Sequence, residues 1–249
     1  MKAKIKVYIK QIQYLNQKMK LSVFSASLVF YLLLTIIPFE ELIQYMLWKI
    51  GVTEAEGNLF LFTNGIIPSI LLLIQLIWVA SKLLHTLHLI SDLMYYDVKE
   101  RSHLKLRILS FVYMVVILVV TIFLILILFY ISHIKDTFPW AIRFIISFIE
   151  FLFPFLWLNV LFLLIYKYVI PIPIRFQETL PTSLVTSFFI YILLRLYQEI
   201  VYGYFLTKYQ TVYGNFASTI SFLVWLYLTC YIFLMGMVYL FVKNKYKKT

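Results

Sequence analysis

Acidic side chains are scarce in this chain. Asp and Glu number 11 against 22 Lys and Arg, and the three aspartates, Asp92, Asp97 and Asp136, stand in different environments. A nuclease centre needs clustered carboxylates or a His/Asp metal set reached by water, so this scarcity argues against nuclease chemistry. Cysteine occurs once, at Cys230 within an apolar run, which removes any disulfide framework and reads as a packing residue. None of the six glycines precedes a lysine, so a Walker phosphate loop is absent, and no TVGYG-like run marks a potassium filter. ATP-driven transport by this chain alone is therefore not expected, nor is any enzyme activity or cofactor. Charge is short overall, with 13% charged residues beside 63% hydrophobic and 19% aromatic ones. A water-soluble domain of that composition would aggregate.

What the chain has in place of charge is length of apolar sequence. Between Lys208 and Lys243 run 34 residues without one Asp, Glu, Lys, Arg or His. A spanning helix needs about 20 mainly apolar residues and must satisfy its backbone hydrogen bonds internally, so such runs belong in a bilayer as helices. Strands of a membrane barrel alternate in polarity, whereas Met114 to Tyr130 is nearly continuous Val, Ile, Leu and Phe. The fold class is all-α: a polytopic membrane protein with six spans near 21–48, 64–90, 106–132, 143–170, 180–205 and 214–242. The first span is too long for a signal-peptide core and is expected to be retained.

Orientation follows from the basic residues, which concentrate on the cytoplasmic side of short loops. With the N-terminus inside, 17 of the 22 Lys and Arg fall on the cytoplasmic side: Lys2, Lys4, Lys6, Lys10, Lys18 and Lys20, then Lys82, Lys99, Arg101, Lys105 and Arg107, then Lys167 and Arg175, then Lys243, Lys245, Lys247 and Lys248. Only Lys49, Lys135, Arg143, Lys208 and the embedded Arg195 remain. Both termini are expected in the cytoplasm. Basic segments beside a membrane are drawn to anionic headgroups by about 1 kcal/mol per charge, so the net charge of +11 points to anionic membrane lipids as partners and needs no nucleic acid.

Residues 1–20 differ from the spans. Ile5, Tyr8, Ile9, Ile12, Leu15 and Met19 recur at helical spacing among six lysines, the pattern of an amphipathic helix lying in the membrane interface. The domain layout expected is thus a basic interfacial helix over 1–20, a six-helix membrane domain over 21–242 and a basic cytoplasmic tail over 243–249.

Polar groups inside spans cost about 2.5 to 3.5 kcal/mol each on insertion scales and should face protein, water or the interface. In span five Arg195 and Glu199 are four apart and share a face, with Gln198 beside them. Glu150 of span four is expected at the same depth. These four residues read either as an ion pair fixing helix register or as a polar cavity in which Arg195 takes an anionic headgroup. Lys82, His85, His88 and Asp92 form one stripe on span two. Lining a cytoplasmic vestibule is favoured over a metal site, because no further His or Cys completes a ligand set. Gly214, Ala217, Ser218 and Ser221 make a small-residue face suited to close helix packing, and a homo-oligomer stays open. Trp225 and Tyr227 lie too near mid-span for an interfacial belt, and Pro38 and Pro154 interrupt the backbone ladders of their spans.

Three stretches resemble the YihY/BrkB family of bacterial inner-membrane proteins. Ser25-Ala26-Ser27 followed by Phe30-Tyr31, Thr35 and Pro38 is similar to the family pattern of span one. Tyr213-Gly214-Asn215 leading to Leu223-Val224-Trp225-Leu226-Tyr227 resembles that of span six, and Glu178-Thr179-Leu180-Pro181 the entry to span five. Thr182 stands where a glycine is usual and Val238 where the family carries an acid. The resemblance implies a six-span protein of the bacterial cytoplasmic membrane. Joined to the embedded Arg195, it implies an ATP-independent transporter or flippase-like protein for an amphiphile such as a lipid or envelope precursor. A scaffold for envelope biogenesis and a small-solute channel are the alternatives. A polar cavity open sideways to lipid favours the first, a bundle without a cavity the second, and a continuous water-filled pore the third.

Overall fold

The computed structural model describes residues 2–49, 66–95, 102–172, 174–199 and 206–247, with side chains over 10–46, 70–95, 102–199 and 219–244 apart from residues 72, 103, 136 and 173. Helices account for nearly all of this, and no strand occurs among the described residues. In chain order they are α1 (Lys2–Met19), α2 (Leu21–Lys49), α3 (Ile66–Met94), α4 (His103–Ile134), α5 (Trp140–Val169), α6 (Phe176–Leu196) and α7 (Leu206–Lys247). A short 3-10 turn over Lys135–Thr137 links α4 to α5. α6 continues into a π turn over 197–199.

Six of these helices are long and apolar enough to cross a membrane, over Leu21–Met46, Leu73–Met94, Leu104–Ile134, Trp140–Val169, Phe176–Glu199 and Thr219–Asn244. Each overlaps one of the six expected spans, with ends that differ by several residues. Pro38 and Pro154 each sit inside a helix that runs on through them. In α2 the Thr35 hydroxyl donates to the Tyr31 carbonyl one turn before the proline.

Two compact units are present, one made of residues 1–29, 88–100 and 155–249, the other of 30–87 and 101–154. The second has a core of Leu42, Leu76, Ala80 and Leu118, one or two from each of α2, α3 and α4, with Phe39, Tyr45, Met46, Ile77, Met114 and Ile122 packed around it. Much of α4 remains on the surface: Val112, Val116, Val119, Val120 and Phe123 are exposed, as residues facing acyl chains are.

In the first unit the side of α1 carrying Ile12, Leu15, Asn16 and Met19 is partly buried while Lys10, Gln13, Tyr14, Gln17 and Lys18 are exposed. From that partly buried side Asn16 Nδ2 donates to the Tyr231 hydroxyl of α7 at 2.7 Å. The chain passes from α1 to α2 through Lys20, whose φ of 49° is left-handed, a conformation that ends a helix and usually calls for glycine. The unit's core is unusually hydroxylated. Ser25, Ser91, Thr179, Ser183 and Ser187 are fully enclosed, as is Tyr166.

Candidate functional site

The enclosed hydroxyls on α6 follow its sequence. Thr179, Thr182, Ser183, Thr186 and Ser187 are spaced by three, one, three and one, which puts all five on one side of a helix, and all five are buried. Opposite this stripe stand α5 and α7. Asn159 Nδ2 of α5 donates to Ser183 Oγ at 3.4 Å. The Tyr166 phenol donates to the Phe233 carbonyl at 2.8 Å and lies 3.2 Å from Thr186 Oγ1. A phenol has one proton, and the shorter contact takes it, so Thr186 is the donor of the second bond. Ser183 and Thr179 donate to backbone carbonyls of their own helix, Leu180 and Arg175. Ser187 is fully enclosed and its hydroxyl has no hydrogen-bond partner among the described residues.

Gly236 is what lets α7 come this close. A Cβ there would run into the Tyr166 hydroxyl and the Thr186 hydroxyl together. The phenol ring is stacked on Phe233 at a centroid distance of 5.0 Å, and Phe162 leans against Phe233 at 5.1 Å.

Beside this contact α6 and α7 part to leave a groove of about 400 Å³. Its rim is Pro181, Val185 and Phe189 on α6 with Tyr239 on α7, all exposed, while Ile232 and Met235 form its partly buried flank. Its floor is buried and different in kind: Thr182 and Thr186 of the hydroxyl stripe, with Gly236 between them and Tyr166. An apolar rim over a hydroxylated floor, cut into two membrane-spanning helices, fits an amphiphile better than it fits either a hydrocarbon or water alone.

Further along α6, Arg195 is half-buried, and the Tyr191 hydroxyl and the Gln198 amide are among its partners. Its Nε and Nη2 donate to the Tyr191 hydroxyl at 3.1 and 2.9 Å, and Nη1 donates to Gln198 Oε1 at 3.4 Å. Tyr191 is itself fixed by the edge of Phe155, 6.0 Å between centroids. Of the expected cavity residues the structure therefore brings Arg195 and Gln198 together. Glu199 is exposed in the turn after α6. Glu150 belongs to the other unit, where it forms an ion pair with Lys135 at 3.2 Å across the α4–α5 connection.

The α3 stripe is graded in burial: Lys82, His85 and Asp92 are half-buried and His88 is fully enclosed. Among the described residues no three His, Cys, Asp or Glu gather as metal ligands. Pro38 is buried in α2. Tyr213, Gly214 and Ser218 lie on the helical backbone of α7 but outside the residues whose side chains are described. Trp225 stacks on Phe222 at 5.7 Å and lies tilted against Tyr197 at 5.4 Å, its indole nitrogen enclosed without an acceptor among the described residues. Tyr227 stacks on Tyr231 at 6.4 Å. Cys230 is buried and free.

The hydroxyl stripe is the feature that a search for embedded charges passes over. Its three-one spacing was present in the sequence. The partners Tyr166 and Gly236 were not legible, since nothing local pairs residues 70 positions apart.

Residues 40–248 match the family model described as Virulence factor BrkB. No curated protein and no solved structure matches the chain.

Proposed function

Since the chain belongs to the BrkB family, as a multi-pass membrane protein with six apolar helices, we propose that it moves or accommodates an amphiphilic lipid-like substrate without ATP and without enzymatic chemistry. The groove between α6 and α7 carries this reading: it pairs an exposed apolar rim with buried Thr182 and Thr186 within two spans. An acyl chain fits the rim by the same apolar contact that solvates the rest of a span. A headgroup hydroxyl or ammonium passing along the floor finds the Thr182 and Thr186 oxygens as acceptors where the hydrocarbon offers nothing, their protons being engaged by the Glu178 carbonyl and the Tyr166 phenol. Arg195, about two turns beyond Ser187 on α6, supplies a guanidinium whose fork suits a phosphate. The orientation that goes with this reading places both termini in the cytoplasm of a bacterial cell, on the count of 17 basic residues against five.

Purified protein in liposomes carrying a trace of nitrobenzoxadiazole-labelled phospholipid tests the proposal. With no nucleotide added, dithionite should bleach nearly all of the probe in protein-containing vesicles and about half in protein-free ones. Equal bleaching in both refutes it.

A further inference from the structure

The groove has a charged mouth. Tyr239 carries its lining toward the end of α7, and one turn further on the Lys243 ammonium sits 6.0 Å from the centre of the Tyr239 ring. At the same end of this unit, Lys167 in the last turn of α5 lies 5.9 Å from the ring of Phe176, the first residue of α6, and Arg175 is exposed just before it. Glu178, in the first turn of α6, is the one carboxylate among the described residues of these three helix ends. On these three helix ends three cations thus stand against one carboxylate, and aromatic rings seat two of them; Asp92 lies near the end of α3, whose neighbouring Tyr95 packs on Phe241 of α7.

We infer that the groove between α6 and α7 holds one acyl chain of an anionic phospholipid, whose phosphate meets the Lys243 ammonium at the mouth by Tyr239. The chain lies along Val185, Phe189, Ile232 and Met235, with its ester end toward Pro181 and Tyr239. Charge complementarity selects the occupant. A zwitterionic lipid fills the same groove but presents a compensating ammonium to an end that is already cationic. This inference rests on the preceding reading only in taking a lipid as the occupant, because binding at this site requires no translocation.

Native mass spectrometry of the whole protein, released from micelles containing equal amounts of phosphatidylglycerol and phosphatidylcholine, reads the site directly. The wild type should retain phosphatidylglycerol in preference. Lys243→Gln should lower the ratio of retained phosphatidylglycerol to phosphatidylcholine about fivefold, the equivalent of about 1 kcal/mol for one charge near a headgroup. Lys10→Gln, on the exposed side of α1, removes a charge that attracts headgroups without a groove and should lower the ratio clearly less than Lys243→Gln does. Val185→Trp fills the groove from its exposed rim and should reduce retention of both lipids. An unchanged ratio in Lys243→Gln overturns the inference, as does undiminished retention in Val185→Trp or a dimer that forms only without lipid. If selective retention appears without translocation in vesicles, the site stands and the transport reading falls. If vesicles translocate while Lys243→Gln keeps the wild-type ratio, the site falls alone.

Discussion

The Tyr166 hydroxyl of α5 donates to the Phe233 carbonyl of α7 at 2.8 Å, 67 residues away in sequence, and the contact is open only because residue 236 has no side chain. Around that bond three helices meet, and the groove lies on their flank.

Gly236→Ala should be destabilising, since its methyl would displace both the phenol and the Thr186 hydroxyl. Overpacking of this kind costs about 1 to 3 kcal/mol. Tyr166→Phe alone should cost about 1 kcal/mol for the lost hydrogen bond. Because the two changes act on the same space, the double variant should be more stable than the sum of the single losses. Thermal unfolding in detergent measures all three, and strict additivity would mean that Gly236 and Tyr166 do not touch.

Lys20 is the described non-glycine residue with positive φ, at 49°. Left-handed backbone costs an L-residue about 1 to 2 kcal/mol, a cost that glycine lacks. Lys20→Gly should therefore leave the melting temperature unchanged or raise it, whereas Lys20→Val, β-branched at the same φ, should lower it. A lower melting temperature for Lys20→Gly than for Lys20→Val contradicts the turn geometry.

Burial raises the pKa of Tyr95, just beyond the end of α3, above its ordinary value, and the Asn244 side chain beside it acts weakly the other way. The folded state then holds the phenolic proton more tightly than the unfolded state. Its contribution is complete below the ordinary phenol value of about 10 and is lost as pH rises above that. Stability should fall through the alkaline range, and Tyr95→Phe should flatten that fall. Denaturation midpoints between pH 8 and 11 measure it; identical slopes in the two proteins would contradict the assignment.

The sequence carried the spans because hydropathy over 20 or so residues reports a solvent, and the solvent dictates helix. It carried the neighbourhood of Arg195 and Gln198 because three-residue spacing is local. Span position gives Glu150 only a depth, and depth does not choose a partner; the turn at Lys135–Thr137 supplies Lys135 as its counter-ion from 15 residues away. Thr182 and Gly236 could be seen singly, one as a departure from a family glycine and the other as a glycine in a span. That they share the floor of one groove depends on the pairing of α6 with α7, which no periodicity encodes.

Arg195 is seated by the Tyr191 hydroxyl through two nitrogens. Tyr191→Phe should leave the protein folded and reduce lipid translocation partly, by loosening the guanidinium. Arg195→Gln should reduce it to near the protein-free level with a melting temperature close to wild type. A folded and fully active Arg195→Gln protein would remove Arg195 from the pathway.

The occupancy of the groove is the central claim, and a phospholipid bearing a diazirine on its acyl chain tests it most directly. After irradiation in a bilayer and peptide mapping, labelling should concentrate on Val185, Phe189, Ile232 and Met235, well above that on the equally apolar, exposed surface of α4 at Val116, Val119 and Phe123. Labelling that is no denser in the groove than along α4 would show that lipid merely surrounds the protein, and the proposed function would lose its support.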